Sequence, residues 1–205
     1  MKYIISLSKD TEEYNDCENL VYSVYQGKGF LQKKMPKLDV NSRFLIVKSF
    51  ETNELLGCVS ISFPTTGFES EYFFGITIND YLPKSIERGQ IVEIGRLSKL
   101  PSLKSDFVFV ALQLAIAQFL EQNNYKGWIA TMKPSLINSL AAFGHTLTVL
   151  DCSIQNGTEL VASLGDYFNV DLEPKLVLNI PIDGGRQMKK KCEFLLSRVL
   201  ERIDI

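Results

Sequence analysis

Apolar residues recur along this chain at two periods, and the alternation between those periods sketches its elements. From Asp10 onward, Tyr14, Cys17, Leu20, Val21, Val24 and Tyr25 follow a three-and-four spacing that predicts an amphipathic helix over about residues 10–26. Asp10-Thr11 offers the cap, Glu12 and Glu13 an acidic first turn, and Gly27 and Gly29 the stop. Before it, residues 1–6 read as a first strand or an ordinary start. After it, residues 30–40 carry Lys33, Lys34 and Lys37 around Pro36 without a period, which predicts a long loop. Residues 42–48 and 55–63 read as strands turning at Thr52-Asn53, a hairpin closed by Pro64-Thr65-Thr66-Gly67. A Gly- and Phe-rich segment then runs to about Asp80 with no element assigned.

The centre of the chain is the unit from Ile91 to Leu150. A strand over residues 91–98 places Glu93 and Arg96 among apolar residues. A long helix over about 105–122, a strand over 128–132 and a shorter helix over 135–143 follow, the last closed by Gly144. Residues 147–154, 160–164 and 175–180 are further strand candidates, with Gln155-Asn156-Gly157 as a turn. Past Gly184-Gly185, the positions Met188, Cys192, Leu195, Leu196, Val199, Leu200 and Ile203 share one helical face, predicting a C-terminal amphipathic helix over 184–205 beside one domain over 1–183. Its lysines suit a membrane or acidic partner, or simply the solvated face of a docked helix. Six or seven strands interleaved with helices, hairpin first and crossover later, describe a mixed α/β sheet and not a doubly wound one.

Composition narrows the function classes. A net charge of −2 gives no electrostatic reason for nucleic-acid binding. The N-terminus lacks a long apolar run of the secretory kind, and the most apolar window, residues 107–120, is too short to span a bilayer, so a cytoplasmic protein is expected. Cys17, Cys58, Cys152 and Cys192 form no C-x-x-C pair, which argues against a zinc ribbon or disulfide framework; no metal site is expected. The one histidine, His145, follows a helix-ending glycine and reads as a cap or a surface residue rather than a triad member.

Two clusters carry candidate chemistry. Glu93 and Arg96 are three apart, so a regular strand would point them to opposite faces. A bulge at Gly95 would bring both to one side and free a backbone N–H. That geometry suits a carboxylate that accepts a proton beside a guanidinium that fixes a second group; a structural ion pair is the plain alternative. Ser102, Lys104 and Ser105 precede the long helix, whose N-terminal N–H groups suit a phosphate, although serines there commonly just cap.

The run Val92-Glu93-Ile94-Gly95-Arg96-Leu97 resembles the acyl-homoserine-lactone synthase branch of the GNAT-like acyltransferases, whose fourth strand carries the same Glu-x-x-Arg. Gly57-Cys58 through Pro64-Thr65-Thr66-Gly67, and Ile129-Ala130-Thr131 through Ser139-Leu140 to Phe143-Gly144, resemble further pieces of that family in order. Asp39 matches one of its acidic loop residues. Gly165-Asp166-Tyr167-Phe168 is similar to a stretch of the thermostable-hemolysin relatives, and the N-acyl amino acid synthases fit as well.

The resemblance implies a GNAT-like fold, with a mixed, mostly antiparallel sheet splayed between its fourth and fifth strands. It implies an N-acyltransferase that moves a fatty acyl chain from acyl-CoA or acyl carrier protein to the amine of an amino acid or related small molecule, with no permanently bound cofactor. Glu93 would deprotonate or orient the amine, Arg96 would bind an acceptor carboxyl or hold the loop architecture, and backbone groups of Leu97, Ser98 and Lys99 would hold the oxyanion. Asp39, Ser102, Lys104, Ser105 and Thr131 would contact substrate, and Tyr167 would protonate the thiolate or pack as an aromatic. Val21 and Ser60 stand where the family has arginines, and the tryptophan of its N-terminal loop is missing. Those departures bear more on lactone formation than on acyl transfer. They also leave room for a catalytically silent protein of the same fold that binds an acyl carrier or another protein.

Overall fold

The computed structural model describes residues 1–31, 42–63, 65, 67–155, 161, 165–169, 172–183 and 185–205. Among them an eight-stranded sheet runs in the order β6-β7-β5-β4-β3-β2-β1-β8. Its strands are β1 (Tyr3–Leu7), β2 (Arg43–Ser49), β3 (Leu55–Ser62), β4 (Ile91–Lys99), β5 (Gly127–Met132), β6 (Thr148–Val149), β7 (Lys175–Asn179) and β8 (Leu200–Asp204). Five helices accompany it: α1 (Thr11–Gly27), α2 (Glu69–Phe74), α3 (Phe107–Gln122), α4 (Pro134–Phe143) and α5 (Arg186–Leu196). Only β4·β5 and β1·β8 are parallel; the other neighbours are antiparallel, giving the mixed, mostly antiparallel sheet expected.

Both faces of the sheet are covered, so the central strands are buried throughout. On β2 and β3, Leu45, Val47, Val59 and Ile61 join the core under α3, whereas Phe44, Ile46 and Cys58 pack against Cys17, Leu20, Val21 and Val24 of α1. The period of two on the strands thus divides one sheet between two layers of helix. α1 begins as its sequence indicates: the Asp10 carboxylate accepts the Glu13 N–H at 2.9 Å. Helix α3 is buried nearly all round, from Val108 to Leu120, because the sheet takes one side and α5 lies against another.

Two glycines are needed for close approach rather than for an unusual φ. A Cβ on Gly57 would stand 2.6 Å from Val108 Cγ1, so its absence lets α3 settle on β3. A Cβ on Gly127 would stand 2.2 Å from the Asn179 carbonyl oxygen, so its absence lets β5 reach β7.

Three expectations are corrected. The C-terminal helix ends at Leu196, and the tail turns back as β8, parallel to β1, with Tyr3 opposite Leu200 and Ile5 opposite Ile203. The open edge of β1 offers backbone partners that an extended helix would leave unused, and Leu200 and Ile203 still reach the core from the strand. Of the strand expected over 147–154 only Thr148–Val149 forms. The segment left unassigned before Asp80 contains α2. The strand expected over 160–164 lies outside the described residues except at Val161, where the backbone is helical and not extended; the Lys33-Lys34-Lys37 loop lies outside them as well. The basic residues of α5 belong to a docked helix: Lys189 pairs with Glu121, and Lys191 donates to the Phe143 carbonyl. No helix among the described residues is long and apolar enough to cross a membrane.

Gly127→Ala should destabilise the protein by about 1–3 kcal/mol, since the clash is with backbone and cannot be relieved by a rotamer. Chemical denaturation against wild type measures it.

Candidate active site

The site forms where β4 and β5 part. They pair only at Ile91–Gly127, Val92–Trp128 and Glu93–Ile129, and then diverge. On its other side β4 stays paired with β3, but Cys58 faces Ser98 while Ser60 faces Gly95, so β4 carries one extra residue. This is the bulge expected near Gly95, and the left-handed residue in it is Arg96, at φ +54°. The bulge breaks the alternation that would have separated the two charges. Glu93 and Arg96, each 7% exposed, line one small cavity of about 50 Å3 together with Thr131 and Tyr167.

Glu93 is held by the start of α2. Its carboxylate accepts the backbone N–H of Glu69 at 2.7 Å and of Ser70 at 2.8 Å, and a short hydrogen bond from the Ser70 hydroxyl. Thr131 Oγ1 lies 3.1 Å from Ser70 Oγ, completing a line of hydroxyls from β5 to the carboxylate. Burial and then the nearby Glu69 charge push Glu93 up to about 7, against the lowering effect of its donors. Arg96 donates from Nη2 to Glu69 Oε1 at 3.2 Å. The cavity wall beyond is aromatic. Tyr167 stacks on Tyr25 with centroids 5.9 Å apart and donates its hydroxyl to the Thr131 carbonyl at 3.3 Å. Burial raises both phenols, Tyr25 to about 12.

A larger cleft of about 790 Å3 opens at the end of β4, between the last turn of α1 and the facing sides of α3 and α4. Leu97, Ser98 and Lys99 line it, so adjacent residues of the bulged strand, Arg96 and Leu97, belong to the two cavities. Ser98 Oγ is buried there with no hydrogen-bond partner among the described residues. Phe109 and Phe143 meet edge-on across it, 6.1 Å apart.

The structure therefore brings together Glu93, Arg96, Thr131 and Tyr167, and gathers Leu97, Ser98 and Lys99 in the adjoining cleft. It does not bring Ser102 or Lys104 to either cavity; both are exposed. Ser105 caps, its hydroxyl accepting the Phe107 N–H at 3.1 Å, and Lys99 reaches the Ser105 carbonyl. Asp39 lies outside the described residues. Sequence reasoning missed Glu69 and Ser70, which sit in an aperiodic segment and reach Glu93 only through the fold. His145 is not a surface residue: its ring is half-buried between Phe143 and Trp128, while its backbone N–H caps α4 at the Leu140 carbonyl.

The raised Glu93 sets a pH dependence of stability. Between about 4.5 and 7 the native carboxyl keeps a proton that the unfolded chain releases, so this residue lowers stability as pH rises through that window. His145, depressed by burial and the Lys191 charge to about 4, acts in the opposite direction between about 4 and 6.5. The difference between wild type and Glu93→Gln isolates Glu93. In urea unfolding, the variant should gain on wild type as pH rises from about 4.5 to about 7, and a constant difference would contradict the assignment.

No family model and no curated protein matches the sequence. Solved structures do. FeeM, an N-acyl amino acid synthase from uncultured soil microbes, is similar at 11% identity and TM-score 0.64, covering 94% of this chain and 99% of that one. MesI, a CoA-dependent acyl-homoserine lactone synthase, matches at 13% identity and TM-score 0.65, covering 96% and 98%. BjaI, another such synthase, solved with SAM and isopentyl-CoA, matches at 12% identity and TM-score 0.61, covering 98% and 93%. Over nearly its whole length, the chain has the GNAT-like fold that these acyl-transferring synthases share.

Proposed function

We propose that this protein is an N-acyltransferase that moves a fatty acyl chain from an acyl thioester to the amine of an amino acid or related small molecule. One observation carries the reading: the β4 bulge turns Glu93 and Arg96 into one cavity at the fork of the sheet, directly beside a long cleft lined by Leu97, Ser98 and Lys99. A thioester in the cleft would present its carbonyl at the bulge, with the amine on the Glu93 side.

The chemistry follows from those groups. The amine attacks the thioester carbonyl, forming the C–N bond. A carboxylate near pKa 7 is matched to accepting the amine proton at neutral pH, directly or through the Ser70 hydroxyl. The bulge leaves one residue of β4 out of the ladder to β3, so a backbone N–H near Arg96-Leu97 and the unpartnered Ser98 hydroxyl are suited to the oxyanion. Collapse breaks the C–S bond, and the thiolate leaves and is protonated. Arg96 would take an acceptor carboxyl, exchanging part of its contact with Glu69. Tyr167, with its pKa raised and its proton directed at the Thr131 carbonyl, serves as a packed wall in this reading.

Coenzyme A is the favoured donor, because two of the similar structures are of CoA-dependent synthases and one holds isopentyl-CoA. Acyl carrier protein would present the same pantetheine arm. The amino acid acceptor is favoured by the likeness to FeeM and by Val21 and Ser60, which replace arginines of the lactone-forming relatives.

A silent binding protein of the same fold is the rival. It is favoured by the engagement of the Glu93 carboxylate with three donors of α2. Lipid extracts of bacterial cells expressing wild type or Glu93→Gln, compared by mass spectrometry, separate the two. Acyl transfer predicts N-acylated amino acids in wild type that fall about a hundredfold or more in the variant, while the variant still unfolds cooperatively. No N-acylated product in either strain supports the silent protein.

A further inference from the structure

On the face of the sheet opposite Glu93 there is a third cleft, of about 330 Å3, which shares no lining residue with the other two. Its walls come from α3, the start of β5, the end of β7, the turn after α4 and the start of α5. Strand alternation separates the two sites: on β5, Trp128 points to this side and Thr131 to the other.

Three neutral polar side chains meet here without a structural task that accounts for them. Gln113 lies in the middle of α3 between the fully buried Leu112 and Leu114 and is itself 2% exposed, yet its amide makes no hydrogen bond among the described residues. His145 Nε2 is buried and has no partner among the described residues. Asn179, 3% exposed, donates Nδ2 to the Thr146 carbonyl at 2.8 Å, and no described donor reaches its side-chain oxygen. The sealed His145 Nε2 has no partner among the described residues, and two carboxamides that are nearly buried line the same cavity, so three polar groups around it point to a ligand.

The surroundings define its chemistry. His145 is depressed to about 4 by burial and Lys191, so its imidazole is neutral at pH 7. The Asp183 carboxylate is engaged by the N–H groups of Gly185 and Gln187, and Lys126 is exposed at the rim. The remaining wall is apolar, with Ile116, Leu120 and Trp128, and Ile182 stands 98% exposed at the mouth. The charged groups of the lining are thus already engaged or at the exposed edge, and a pure hydrocarbon would leave the three polar groups unpaired. Carboxamides pair well with the donor–acceptor edge of a purine.

We propose that this cleft binds a neutral heteroaromatic ring of nucleobase size, hydrogen-bonded at its edge to Gln113, His145 and Asn179 and covered by the apolar wall around Trp128.

Trp128 is the only tryptophan in the chain, so its fluorescence reports on this cleft. The full chain is titrated with adenosine. A saturable change is expected in wild type, weakened about tenfold or more in Gln113→Leu and in His145→Phe. Gln113→Leu should melt at or above the wild-type temperature, since it replaces a carboxamide that lines the cleft with an apolar side chain among the apolar neighbours Leu112 and Leu114. No saturable change in wild type, equal affinity in the variants, or a Gln113→Leu protein that melts well below wild type would each overturn the proposal. The readout requires no acyl transfer, so it stands apart from the Glu93 reading.

Discussion

The Glu93 carboxylate is the interaction on which the geometry of the fork depends. Helix α2 has six residues and an apolar N-cap, Phe68, and the N–H groups of Glu69 and Ser70 in its first turn are satisfied by a carboxylate from a neighbouring strand. A second carboxylate, Glu71, does similar work from within the helix. Despite burial, the Arg88 guanidinium and the Ile78 and Phe68 N–H groups hold Glu71 below the usual range. Among the described residues no guanidinium bonds to Glu93, and it sits beside the Glu69 charge. Burial therefore outweighs its donors, and its proton affinity rises. The same environment that fixes α2 thus gives Glu93 a proton affinity matched to neutral pH.

The parting of β4 and β5 explains why cavities gather here. Two parallel strands that stop pairing after three residues leave a gap that backbone cannot fill. α3 and α4 flank it on one face, and α1 and α2 close it on the other. The bulge at Arg96 shifts the register between β4 and β3 close to the same point. A left-handed arginine is a strained choice, and its cost is offset by placing a guanidinium within reach of Glu69 in a cavity it would otherwise not enter. The register also shifts between Tyr3 and Ile4 and between Val47 and Lys48, away from the fork, and the two faces of the sheet separate the Glu93 cavity from the Gln113 cleft.

Some of this was legible in the chain. The i, i+3 separation of Glu93 and Arg96 with an intervening glycine raised the possibility of a bulge, although the strained residue turned out to be Arg96. The Asp10 cap, the hairpin of β2 and β3, and the helices after β4 and β5 follow from local pattern because short-range capping and periodicity specify them. Glu69 and Ser70 were not legible, since α2 exists through a carboxylate more than twenty residues away in sequence. Gln113 was visible only as a polar residue in an apolar helix.

By itself, the sequence determined the sequence of helices and strands through the centre of the chain and the pairing of two opposite charges on one strand. Apolar period, glycine placement and capping residues act over a few residues and need no tertiary partner. Tertiary structure decided the rest. The residues after Leu196 keep an apolar face compatible with helix, but the open edge of β1 supplies backbone partners that make them a strand. Whether Glu93 and Arg96 share a cavity depended on the register between β3 and β4, and whether His145 faced solvent depended on the packing of Phe143 and Trp128. Register and packing join residues far apart in the chain, and the physics that fixes them, backbone pairing and burial, acts only once the sheet has formed.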